Sequence, residues 1–217
     1  MPAIVPAIIP ESRDHLEKTL GLTSTFTHEV QIDIVDGVFV PFRSWPYGEG
    51  EAVMHLKSLI KDFNVEVDLM VMEPESVIES YLASGVRKVV IHLESTSKLE
   101  EILTWKERYD FRIGFSINSD TDVSMLTTVI ESADYVQLMG IAHIGSQGQP
   151  FDARVLARIT ELLKLYPNLL ISIDGSVNLE TLPQLYIAGA RRFVAGSSIL
   201  KAGDPRRAFE TLRSLIR

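Results

Sequence analysis

Short runs rich in valine, isoleucine and leucine alternate with longer amphipathic stretches along the whole chain. The runs fall at 4–9, 30–35, 65–70, 86–93, 112–117, 135–139, 170–173 and 192–195, each the length of a strand. Between them the spacing of apolar positions predicts helices near 12–20, 49–63, 75–84, 97–109, 124–132, 152–166, 180–188 and 205–216. Local punctuation agrees, because Ser84-Gly85 and Ala188-Gly189 stand at helix ends while Pro74, Pro183 and Pro205 fall in first turns. The runs read as continuous rather than alternating, as expected of parallel strands covered on both faces. Eight βα units, with no Gly/Ser linker, charge run or low-complexity segment between them, predict an α/β fold: a single (β/α)8 TIM barrel domain over residues 1–217. An open doubly wound sheet is the alternative, but no GxGxxG follows the first run.

Composition narrows the function classes. The 217 residues include no cysteine, which excludes a disulfide scaffold, a thiolate metal site and a cysteine nucleophile. The formal net charge of −8 gives no footprint for nucleic acid and leaves small anions as ligands. The opening MPAIVPAIIPESRDHLEK lacks a basic segment before its apolar run and carries prolines within it, so neither a signal peptide nor a membrane anchor is expected, and the cytoplasm is the default location.

A barrel places its chemistry at the C-terminal ends of the strands and in the loops that follow. In QIDIVDG, Gln31, Asp33 and Val35 share one strand face. If that face looks inward, Asp33 and Asp174 reach one cavity from strands two and seven, a pairing that suits proton removal on one side of a carbon and delivery on the other. Both aspartates also read as turn caps, since Asp33 lies close to Asp36-Gly37 and Asp174 precedes Gly175. Gly145, Gly148, Gly175, Ser176, Gly196 and Ser197 lie in three successive loops at the last strands, where a barrel cradles a phosphate on backbone N–H groups. The five histidines show no metal-binding spacing. His92 reads first as a hydrogen-bonded structural residue, and Met70 and Met139 as core or as cavity walls.

Ordered motifs then carry a resemblance. QIDIVDGVFVP is similar to H-x-D-x-M-D-G-x-F-V-P, VDLMVMEPE to V-H-L-M-x-x-x-P, and IHLES to F-H-x-E. GSQGQPF is similar to the loop within P-G-F-G-G-Q-x-F, SIDGSVN to V-D-G-G-V-N, and VAGSSIL to V-A-G-S-x-I-F. Together with the opening IVPAII, these resemble the ribulose-phosphate 3-epimerase family over nearly the whole chain. The resemblance implies a phosphorylated sugar as partner, a homo-oligomer (dimer or higher), and two aspartates that exchange protons at C3 of a pentulose 5-phosphate while a divalent metal held by two histidines and two aspartates stabilises the enediolate.

Position by position, the acid/base pair is intact as Asp33 and Asp174, but Gln31 and Asp68 stand at the two histidine positions. Ala7 replaces a serine beside the substrate, Val35 a methionine, and the loop after Met139 carries about one extra residue near 140–142. The implied metal set of Gln31, Asp33, Asp68 and Asp174 offers only oxygen, favouring magnesium or manganese over zinc, or no metal at all. The expected outcomes are a slower epimerase, a changed substrate, or a non-catalytic phosphate-ester-binding homologue acting as a sensor or partner subunit. The D-x-K-x-x-D motif of related decarboxylases and hexulose-phosphate synthases is broken, since Asp68 and Glu73 are present without the lysine.

Overall fold

The computed structural model describes residues 2–50 and 53–216. Eight strands, β1 Ala3–Ile8, β2 Glu29–Val35, β3 Asn64–Met70, β4 Lys88–His92, β5 Arg112–Ile117, β6 Tyr135–Met139, β7 Ile171–Asp174 and β8 Arg192–Ala195, pair in chain order. All the pairs are parallel, and β8 closes on β1, completing the barrel that the βα alternation predicts. The helices are α1 Arg13–Thr23, α2 Leu56–Leu59, α3 Ile78–Ala83, α4 Leu99–Thr104, α5 Ser124–Thr127, α6 Arg154–Leu165, α7 Leu182–Ala188, α8 Ser197–Leu200 and α9 Pro205–Ser214. Their ends follow local chemistry: Ser12 accepts from the His15 N–H at 3.1 Å to cap α1. Asp204 accepts from the Arg207 N–H at 3.0 Å to cap α9, which begins with Pro205.

Three expectations are corrected. The helix expected at 49–63 is a 3₁₀ turn, Val53–His55, followed by the single turn α2; residues 51 and 52 lie outside the described part. The Ser84 hydroxyl donates to the Val53 carbonyl at 3.2 Å, drawing that end onto the loop after α3. The helix expected at 124–132 is reduced to α5, because the Thr127 and Thr128 hydroxyls donate to carbonyls three residues back, at 2.6 and 2.8 Å, and compete with helical bonding. The strands, finally, are two-faced rather than continuously apolar. Outward side chains such as Ile32, Ile34, Val67, Ile91, Phe115 and Phe193 form the main core between barrel and helices. Inward positions carry Gln31, Glu66, Asp68, His92, Gln137 and Arg192, all buried. Valines and methionines at other inward positions blur this alternation in the sequence. Among the described residues, no helix is long and apolar enough to cross a membrane.

Candidate active site

The β2–β3 register sets Gln31, Asp33 and Val35 beside Glu66, Asp68 and Met70, so period-two alternation sends both sets of side chains into the barrel. Across the barrel, Met139 of β6 pairs with Asp174 at the end of β7. Asp33 and Asp68 are buried, and Asp174 is half-buried at the rim. The amide Nε2 of Gln31 donates to Asp33 Oδ1 at 2.8 Å and to Asp174 Oδ2 at 2.7 Å. Asp68 is held from the other side, its Oδ1 3.1 Å from His92 Nε2 and its Oδ2 accepting from Gln137 Nε2 at 2.8 Å.

The turn-capping alternative for Asp33 is excluded, because Asp36 does that work. Asp36 Oδ1 accepts from the N–H groups of Val38 and Phe39 at 2.8 and 2.9 Å, and its Oδ2 from that of Met72 at 2.8 Å. Asp33 is therefore free of the turn and turned into the barrel.

Electrostatics follow from this geometry. Burial, then the charges of Asp174 and Asp68, push the Asp33 carboxyl well above its ordinary value, and the Gln31 hydrogen bond offsets them only in part. Burial and the charge of Asp68 raise Asp174 to about 7. For His92, burial alone favours the neutral ring, but the charge of Asp68 and its hydrogen bond outweigh that, and the imidazole is held above its usual range. Asp33 and Asp174 thus titrate as a pair, with protons retained at a pH where ordinary aspartates have lost them.

A cavity of about 300 Å³ opens above this cluster, a size suited to a small ligand. Ala7, Asp33, Met70, Met139, Gly145, Gly148, Asp174, Gly175, Ser176, Gly196 and Ser197 all line it; Gln31 and Asp68 do not, and sit beneath its floor. Its far wall is built by backbone. Gly175 and Ser176 both have positive φ, 97° and 53°, and for serine this is strained. That strain is held by hydrogen bonds to the Ser176 carbonyl from Thr181 Oγ1 at 2.6 Å and Asn178 Nδ2 at 3.2 Å, while the Ser176 hydroxyl donates to the Gln149 carbonyl. A Cβ at Gly196 would displace the Gln147 amide from its place beside the Ala7 carbonyl.

Lining residues that sequence reasoning did not assign to the site include Gln147, which donates to the Ala7 carbonyl at 3.1 Å, and Asn178. Both lie inside the loop motifs GSQGQPF and SIDGSVN, so their position was the available signal. His143 is exposed and lines an outer groove instead of this cavity. Glu66, Tyr135 and Arg192, a second polar layer deeper in the barrel, were also missed.

One carboxylate oxygen from each of Asp33, Asp68 and Asp174 lies within 4.8 Å of the others, close enough to share a cation. The donor chemistry argues otherwise as the side chains stand. What faces Asp33 and Asp174 from Gln31 is an amide nitrogen, which carries hydrogens, has no lone pair to give and fills the space between the two carboxyls. The set as arranged therefore does not fit a metal ion.

The comparisons with known proteins agree with this architecture. The model of the family described as "Ribulose-phosphate 3 epimerase family" matches residues 2–200. The ribulose-phosphate 3-epimerase of Bacillus subtilis is 30% identical over 85% of this chain and 85% of its own. That of Schizosaccharomyces pombe is 28% identical over 98% of this chain and 93% of its own. Solved structures share the fold: a 3-hexulose-6-phosphate synthase superposes with a TM-score of 0.72 at 19% identity, covering 99% of this chain and 98% of its own. A 3-keto-L-gulonate-6-phosphate decarboxylase from Vibrio cholerae gives 0.68 at 15% identity, covering 99% and 97%. With a family model spanning almost the full length of a barrel whose inner rim carries Asp33 and Asp174, the chain belongs to the ribulose-phosphate 3-epimerase family.

Proposed function

We propose that this protein is a sugar-phosphate epimerase that moves a proton at the carbon next to a ketose carbonyl, using Asp33 and Asp174. The observation that carries the reading is the meeting of these two carboxyls at the floor of a small cavity, where a single amide bridges them. Burial and mutual repulsion keep the pair from being fully ionised. One member then acts as base while the other acts as acid, as an epimerisation requires. Asp174, raised to about 7, is the member that ionises near neutrality and takes the C–H proton from one face. Asp33, whose carboxyl burial and the charges of Asp174 and Asp68 also hold well above its ordinary value, delivers a proton to the opposite face, and the two exchange roles in the reverse direction. The negative charge that develops on the ketose oxygen is met by hydrogen-bond donors that line the cavity.

The phosphate of the substrate would lie at the opposite end, on backbone N–H groups of Gly145, Gly148, Gly175, Ser176 and Gly196 and the hydroxyl of Ser197. Ala7, Met70 and Met139 wall the carbon chain between the two ends. The curated relatives are named for ribulose phosphate, which supports a five-carbon ketose phosphate as substrate. The test is to incubate the protein with ribulose 5-phosphate in heavy water and follow deuterium at C3 by NMR. Incorporation that Asp174→Asn abolishes supports the reading. Tight binding of the ester with no incorporation points to a non-catalytic binding homologue instead.

A further inference from the structure

Gln31 occupies the centre of the site without touching the cavity. The residue is fully buried, and the two hydrogens on its one nitrogen serve two carboxyls that lie 2 and 143 residues further along the chain: one bond runs within β2 to Asp33, the other across the barrel mouth to Asp174 of β7. The orientation of the amide is dictated by its neighbours. Turned over, Oε1 would oppose two carboxylate oxygens, acceptor against acceptor, whereas a cation held between Asp33 and Asp174 would demand that reversed arrangement. With nitrogen inward, Oε1 is left buried and without a partner, so the two donated bonds are what hold the amide in place.

We propose that the Gln31 amide takes the place between Asp33 and Asp174 that a divalent cation would otherwise hold, so the chain assembles its own proton-transfer pair and works without a cation. The proposal rests on the epimerase reading above. Gln31 is a positioning residue: it contacts no reacting atom, and it acts by fixing the direction and separation of the two carboxyls.

The test uses the full chain, stripped with chelator and checked for residual metal, with ribulose 5-phosphate in heavy water. Wild-type exchange at C3 is expected to stay within about twofold of its rate with added magnesium or manganese, where dependence on a Lewis acid would show as orders of magnitude. Gln31→Met keeps the length and removes both N–H groups; its chelated form is expected to lose about a hundredfold in kcat with KM little changed. Gln31→Glu supplies a further oxygen ligand and is expected to bind Mn2+, read by electron paramagnetic resonance, at least about tenfold more tightly than the wild type. Wild-type exchange lost in chelator and restored by a cation would overturn the proposal and leave the epimerase reading standing. So would wild-type Mn2+ binding as tight as that of Gln31→Glu. Absence of wild-type exchange under every condition would overturn the epimerase reading, and the proposal with it. If Gln31→Met does not fold, the wild-type chelator arm and the Mn2+ arm decide the matter.

Discussion

Two charged layers lie in the barrel interior, one above the other, and they are built on opposite electrostatic terms. Glu66 and Asp68 are two residues apart on the same face of β3, a rise of roughly 7 Å. In the lower layer Glu66 is paired with Arg192 at 2.9 Å, and the Tyr135 hydroxyl donates to its other oxygen. Arg192 also donates to the Ser172 hydroxyl at 3.1 Å. In the upper layer Asp33 and Asp174 are answered by the neutral amide of Gln31, and Asp68 by the amide of Gln137 and by His92, whose imidazole it holds above the usual range. Burial without a guanidinium close by raises the Asp33 and Asp174 carboxyls, whereas Glu66 has the Arg192 guanidinium as its partner. The difference separates a layer whose acid has a guanidinium partner from the layer on which the proposed proton transfer rests.

The largest expected effect falls on the upper layer: Asp174→Asn should lower C3 deuterium exchange by about 10²–10⁴-fold while the protein remains folded by circular dichroism. The lower layer should answer the other way. Arg192→Met leaves Glu66 buried and unpaired, and chemical denaturation should show a loss of about 3–5 kcal/mol. The double variant Glu66→Leu/Arg192→Met should recover most of that loss, because both charges leave together. A double variant no more stable than the single one would break the contrast between the layers.

The pH dependence of stability sharpens the comparison further. Asp174 titrates from an ordinary value of 3.8 in the unfolded chain to about 7 when folded, so between these values the native state holds a proton that the unfolded state has released. Its contribution to stability is therefore full below about pH 4 and is lost as the pH rises through about 7. Urea midpoints of the wild type should fall from about pH 5 to about pH 8, and Asp174→Asn should flatten that slope. The smallest effect is expected at the edge of the lower layer. Tyr135→Phe removes a donor from Glu66 and should cost about 1–3 kcal/mol, with exchange per folded molecule unchanged.

Much of this was legible beforehand, and the reasons are local. Strand length, helix spacing and the Gly and Pro punctuation are set by neighbours in the chain, so the eight-fold alternation foretold the closed barrel. QIDIVDG and SIDGS likewise marked Asp33 and Asp174, since polar residues at the ends of apolar strands are visible without coordinates. The shortened α2 and α5 were hidden because hydroxyl groups redirect backbone bonding there. Glu66 and Arg192 were hidden because their pairing joins β3 to β8 across the barrel, and neither residue differs on paper from a surface charge.

The amino-acid order by itself determined the number of βα units, the loops that carry glycine, and the residue types at the rim, because these depend on periodicity and on intrinsic backbone preference. Closure of the barrel decided the rest. It chose the inward face of β2, brought Gln31 to Asp174 over 143 residues of chain, and made Arg192 the partner of Glu66 and His92 that of Asp68, while Asp33 and Asp174 meet the neutral amide of Gln31. Charge compensation depends on distance and burial, and both exist only once the chain has folded.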